Sequence, residues 1–223
     1  MRLLLLAAAA LAACAAPSAP APDPSAGPPL VAAEDFEHGA AQWKPTDPAA
    51  WRVGEADGNH FLSLFQQSRY EPAVRSPKNI AILDGVTVGD FTLDLRVQST
   101  TKDYPHRDIC IFFGHQDASH FYYVHLGKQA DPHSNSIFLV NGADRLSIAK
   151  TRTDGTNWTD AWHRVRIART AATGAIAIYF DDLDKPAMTA EDKTFAWGRI
   201  GVGSFDDTGN FDDIALRGKP LRE

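Results

Sequence analysis

The stretch "AWHRVRIARTAATGAIAIYFDD", residues 161–182, alternates apolar and polar side chains on both sides of a Thr-Gly turn. In "HRVRIAR", Val165 and Ile167 fall on one side and Arg164 and Arg166 on the other. "GAIAIYFDD" reads as a second strand ending in an acidic turn. Period-two alternation of this kind belongs to half-buried antiparallel strands, because successive side chains point to opposite faces of a sheet.

The same pattern extends outward. "DFTLDLRVQ", residues 90–98, puts Phe91, Leu93, Leu95 and Val97 on one face and Thr92, Asp94, Arg96 and Gln98 on the other. "HFLSLFQ", "NIAIL", "RDICIFFGH", "HFYYVHLG", "NSIFLVNG", "RLSIAKT", "GRIGVGSF" and "FDDIALRG" supply further candidates, punctuated by Gly, Asp, Asn and Pro. The only helical signal is a single turn around "AMTAED", residues 187–192. So many strands in one domain imply an all-β fold, a two-sheet antiparallel sandwich or a closed barrel.

The folding unit is shorter than the 223-residue chain. "MRLLLLAAAALAAC", residues 1–14, has a basic start, an apolar run too short to span a bilayer comfortably, and a small-residue end before Cys14. It has the layout of a lipoprotein signal whose Cys14 becomes the lipidated terminus. Residues 15–29, rich in Pro, Ala and Ser, form a linker without apolar periodicity. Residues 30–223 remain as one domain, large enough for a sizeable core. The expected location is therefore outside the cytoplasm, anchored to a bacterial cell envelope, with membrane contact through the lipid alone. Cys14 and Cys110 are the two cysteines, so a lipidated Cys14 leaves Cys110 without a disulfide partner. A formal charge of −6 and no Lys/Arg-rich tract argue against nucleic acid as a partner.

The Trp-His, strand, Gly-turn, strand, Asp-turn order of residues 161–182 resembles that of the concanavalin A-like (laminin-G-like) jelly rolls. "DFTLDLRV" is similar to the strand that precedes it in that superfamily, and "GRIGVGSFDDTGNFDDIALRG" to its closing pair. The closest resemblance is to bacterial exported domains allied to the 3-keto-disaccharide hydrolase domain. The resemblance covers roughly residues 34–218 and implies a two-sheet jelly roll. It leaves function open, since the superfamily holds lectins, glycosidases, lyases and non-catalytic modules. The Glu-x-Asp-x-x-Glu run of family 16 glycosidases, which places two carboxylates about the glycosidic bond, is absent.

Residues 103–133 hold five of the eight histidines. Strand parity places Phe121, Tyr123 and His125 on one face and His120, Tyr122, Val124 and Leu126 on the other. The short turn "HQDASH" brings Asp108 beside that strand, with His106 on the same face if the strand starts early. Tyr123, His125, Asp108 and Arg107 are the candidate catalytic group. His125 would accept a proton, Tyr123 would donate one, Asp108 would orient the imidazole and an arginine would hold the sugar. Arg96, Asp94, His106, Lys128, Asn141 and Trp158 are candidate substrate contacts. The competing reading is a hydrogen-bonded polar network between sheets. No cofactor is required. A structural Ca2+ held by Glu37 with Asp212 or Asp213 is weighed against turn-capping carboxylates. The expected function is to bind, and in one version to cleave, a glycan. The alternatives are a dedicated polysaccharide lyase or atypical glycosidase, and a non-catalytic protein-interaction module.

Overall fold

The computed structural model describes residues 27–221. The signal segment, Cys14 and most of the linker lie outside the described residues. The strands in chain order are β1 (Leu30–Glu34), β2 (Trp43–Pro45), β3 (Trp51–Ala56), β4 (Asn59–Leu64), β5 (Asn79–Leu83), β6 (Val88–Ser99), β7 (Asp108–Asp117) and β8 (His120–Gly127). They continue with β9 (Ser136–Asn141), β10 (Leu146–Ser147), β11 (Ala149–Arg152), β12 (His163–Thr170), β13 (Ala175–Phe180), β14 (Met188–Glu191), β15 (Arg199–Ser204) and β16 (Gly209–Pro220). Among the described residues the only helical segment is one 3-10 turn, Pro48–Ala50, and no helix is long and apolar enough to cross a membrane. The turn expected at 187–192 is instead largely strand β14, paired on both sides.

The strands form two antiparallel sheets, so of the two architectures expected from the alternation the chain adopts the all-β sandwich, as the jelly-roll resemblance implies. One runs β11-β14-β13-β12-β6-β16-β4-β3, with β1 added along β16. The other runs β10-β9-β8-β7-β15-β5-β2. The register of β6 and β12 shows how sequence parity becomes layering. Leu95 pairs with Val165 and Leu93 with Ile167, facing the core, whereas Asp94 pairs with Arg166 on the outside. The Arg166 guanidinium bonds both oxygens of Asp94, at 2.6 and 3.2 Å. From the second sheet, Ile109, Ile111 and Phe113 of β7 and Tyr122, Val124 and Leu126 of β8 complete the core.

The second sheet also buries its outer face. Cys110, Phe112, Phe121, Tyr123, Phe138 and Val140 form a separate apolar cluster with Ile80 and Ile82, and Val74 and Phe205 pack onto it. This explains why "DICIFF" reads as continuously apolar, since a strand buried on both faces loses the alternation of a half-buried one. Strand β15 contributes no side chains where these rings lie. A Cβ on Gly203 would fall 1.8 Å from the Asn79 carbonyl oxygen and 3.2 Å from the Phe112 ring, and one on Gly201 would fall 2.5 Å from Ile82. Part of the cover is Val74, in the segment 65–78 that joins the sheets between β4 and β5, with Phe205 beside it. The segment's Arg75 N–H donates to Asp144 at 2.9 Å, and its carbonyl accepts from the Arg145 N–H at 3.0 Å. These bonds tie the segment to the β9–β10 turn above the aromatic face.

Candidate functional site

The β7–β8 register sets Cys110 opposite His125 and Phe112 opposite Tyr123. Parity then brings Asp108, Cys110, Tyr123 and His125 to one end of the covered face. The Asp108 and His125 side chains approach to 3.3 Å between Oδ2 and Nε2. Asp108 Oδ2 also accepts from the Phe205 N–H at 2.9 Å and from the Cys110 thiol at 3.4 Å. Asp108 Oδ1 is buried and has no partner. Tyr123 and His125 lie with ring centroids 6.4 Å apart, and His125 stacks on Phe205 at 5.8 Å.

The arginine of this group is Arg145. Its Nη1 donates to the Tyr123 hydroxyl at 2.9 Å and approaches His125 Nδ1 at 3.5 Å. Its guanidinium carbon lies 4.8 Å from the Phe138 ring centroid and 4.2 Å from that of Phe205. A cation held against two aromatic faces is well placed electrostatically. Its Nε nevertheless remains buried without an acceptor. Arg145 was missed because nothing local in "RLSIAKT" reports that the β9–β10 turn folds over its own sheet. A weak signal existed: a lone arginine beginning a short strand after an Asn-Gly turn.

Acidic groups surround the cluster. Asp207 accepts from the Asp108 N–H at 2.8 Å and from the Tyr104 hydroxyl at 2.9 Å. Burial, followed by the charge of Asp108, pushes the Asp207 carboxyl up to about 6. Asp206 is exposed at the rim, yet desolvation and then Asp108 raise its carboxyl as well. Burial above all raises the Tyr123 hydroxyl well beyond the usual phenol range. Along the same face, burial lowers His115 to about 4, its ring stacked on Phe121 at 5.5 Å.

Because Asp207 has its pKa raised on folding, its ionisation opposes the fold. That cost is absent below the ordinary carboxylate pKa and develops as pH rises through about 6. Acidification from about pH 7 to about pH 5 should therefore stabilise the wild type by about 1 kcal/mol relative to Asp207→Asn. Urea midpoints of the two proteins at both pH values measure this, and parallel pH profiles would contradict it.

Other candidates from the sequence lie elsewhere. Arg107 is buried at the far side of β7, where its guanidinium bonds the Ser99 side chain and carbonyl, the Thr159 carbonyl and Asp160. Arg96 belongs to the other sheet, pairs with Asp212 at 2.9 Å and with Asp213, and lies over Trp162. Asp94 is held by Arg166. Neither Arg107 nor Arg96 is the arginine at His125, because strand parity does not reveal which sheet a strand joins. Trp158 is buried rather than displayed: its indole N–H donates to the Leu126 carbonyl at 2.7 Å and its ring packs on His163 and Phe180. Trp197 is the most exposed of the five tryptophans, at 47%. His106 is exposed just before β7, 3.6 Å from Asp131, and Lys128 pairs with Asp103. Asn141 is exposed at the end of β9. Glu37 is engaged by His60, through its N–H at 2.8 Å and its ring at 2.7 Å, whereas Asp212 takes Asn59 and Arg96. Glu37, Asp212 and Asp213 form no close ligand cluster among the described residues.

No protein-family model matches the chain, and no curated protein matches it. Solved structures do resemble it. The carbohydrate-binding module CBM66 from Bacillus subtilis superposes with a TM-score of 0.57 and 14% identity, covering 79% of this chain and 96% of that one. A Bacillus subtilis protein of unknown function with a galectin-like fold gives 0.55 and 11%, covering 87% and 97%. Domain 4 of AbnA, a GH43 extracellular arabinanase from Geobacillus stearothermophilus, in complex with arabinotriose, gives 0.55 and 11%, covering 86% and 94%. These likenesses establish the jelly-roll fold.

Proposed function

We propose that this chain is an exported, lipid-anchored envelope protein whose jelly roll recognises a glycan at the Arg145 end of the seven-stranded sheet. The observation that carries the reading is Arg145 itself, a half-buried arginine whose guanidinium is laid against Phe138 and Phe205. A hydroxyl-rich ligand offers acceptors to the exposed part of that half-buried side chain, and exposed Asp206 offers acceptors to the ligand's hydroxyls. His106 and half-buried Lys78 stand near enough to bear on the Asp206 charge and complete a polar rim. The names of two structural neighbours, a carbohydrate-binding module and a domain complexed with arabinotriose, agree with this chemistry. So does the resemblance to exported laminin-G-like domains.

Recognition is favoured over cleavage by the burial of the candidate proton donor. Tyr123 has no exposed surface and its hydroxyl already accepts from Arg145. Screening the protein against a glycan array, with parallel assays for new reducing ends and unsaturated products, tests the proposal. We expect saturable binding to a restricted glycan set without product; no binding to any glycan contradicts it. For the anchor, Cys14→Ser should release the chain from membranes into the soluble fraction, and unchanged retention would overturn lipidation at that residue.

A further inference from the structure

The cluster under Arg145 contains a group of side chains that glycan recognition does not use. Asp108, Cys110 and His125 are all buried, and each can place one ligand atom within 4.8 Å of the others. Cys110 Sγ and His125 Nε2 lie 3.4 and 3.3 Å from the same oxygen, Asp108 Oδ2. Donors around a tetrahedral ion with bonds of about 2.0–2.3 Å stand roughly 3.3–3.8 Å apart. A second observation points the same way. The other oxygen of Asp108 is fully buried and has no partner, a costly state for a carboxylate. A second acidic group shares that residue, since carboxylate oxygens of Asp108, Asp206 and Asp207 also come within 4.8 Å of one another. Among the described residues the only ion-pair partner of Asp108 is His125; no arginine or lysine is paired with it.

We infer that Asp108, Cys110 and His125 form a binding site for one borderline divalent cation of the Zn2+ class, three protein ligands with the fourth position left open. The mixed thiolate, imidazole and carboxylate set suits Zn2+ better than Ca2+, which takes oxygen ligands alone. Ligation through Nε2 puts the imidazole proton on Nδ1. Nδ1–H cannot accept from Arg145, so the 3.5 Å contact between them is given up when the ion enters, and Arg145 keeps its shorter bond to Tyr123. The Cys110 thiol, raised by burial and by Asp108, gives up its proton when the ion enters. The ion would fix the floor on which Arg145 and Phe205 rest.

The test uses the full chain carrying Cys14→Ser, so that Cys110 is the sole thiol. After treatment with chelator, Co2+ is titrated as the spectroscopic probe. A near-ultraviolet thiolate-to-Co2+ charge-transfer band saturating at one equivalent, displaced by Zn2+ and lost in Cys110→Ser, is the expected result. His125→Gln should weaken Co2+ binding on the order of tenfold or more while the band's identity is retained. Zn2+ should also raise the melting temperature of the chelated protein, because a ligand bound only by the folded state stabilises it. A folded protein without a band, or one stabilised by Ca2+ and not by Zn2+, overturns the inference. The readout is independent of sugar, so a band without glycan binding refutes only the recognition proposal, and glycan binding without a band refutes only the metal site.

Discussion

Phe112→Ala is expected to destabilise the domain by about 3–5 kcal/mol, the range for emptying a buried aromatic site. Phe112 is fully buried on the outer face of its sheet, with ring centroids 5.8 Å from Phe121 and 5.9 Å from Tyr123. Its floor is Gly203, and collapse into the vacated space would have to drag a backbone already in contact with β5. An ordinary jelly roll with a solvated outer face would tolerate Ala there with a much smaller loss. Urea unfolding monitored by tryptophan fluorescence measures the difference. A loss below about 1 kcal/mol would mean that the face is not covered.

Arg107→Ala is expected to cost about 3 kcal/mol, through stranded carbonyls and lost side-chain packing rather than through a lost catalytic charge. Only 1% of Arg107 is exposed, and its guanidinium is the donor that holds the Ser99 and Thr159 carbonyls, at 2.8 and 3.0 Å. Removing it leaves both acceptors without that donor where water enters poorly. Arg107→Lys should recover only part of the loss, because an ammonium cannot reproduce the fork. The fraction that folds should bind glycan as the wild type does. A variant with unchanged stability and abolished binding would return Arg107 to the site.

Much of this architecture was legible because strand parity is a local property. The faces of β6 and β12, the β7–β8 hairpin, and the meeting of Asp108 with His125 all follow from counting in twos. What escaped reading depends on contacts distant in sequence. The burial of the aromatic face that holds Tyr123 depends on Val74 and Phe205, which come from connections rather than strands, and on Arg145 at the Tyr123 hydroxyl. Arg145 reaches His125 only because its turn folds over the sheet and is pinned by Arg75. Arg96 has the right chemistry on the wrong sheet. Trp158 sits in a polar sequence, "DGTNWTD", yet the Leu126 carbonyl offers its indole a buried acceptor. Local polarity cannot report that acceptor.

Glycan recognition is proposed at the Arg145 end of the seven-stranded sheet. Backbone amide shift mapping during titration with a glycan positive on the array tests it most directly. Saturable shifts concentrated at Arg145, Phe205, Asp206 and the turn before Asp108, abolished by Arg145→Ala in a protein that remains folded, are the expected result. Shifts concentrated instead on the outer face of the nine-stranded sheet, around Arg96, Arg164 and Trp162, and unaffected by Arg145→Ala, would contradict it.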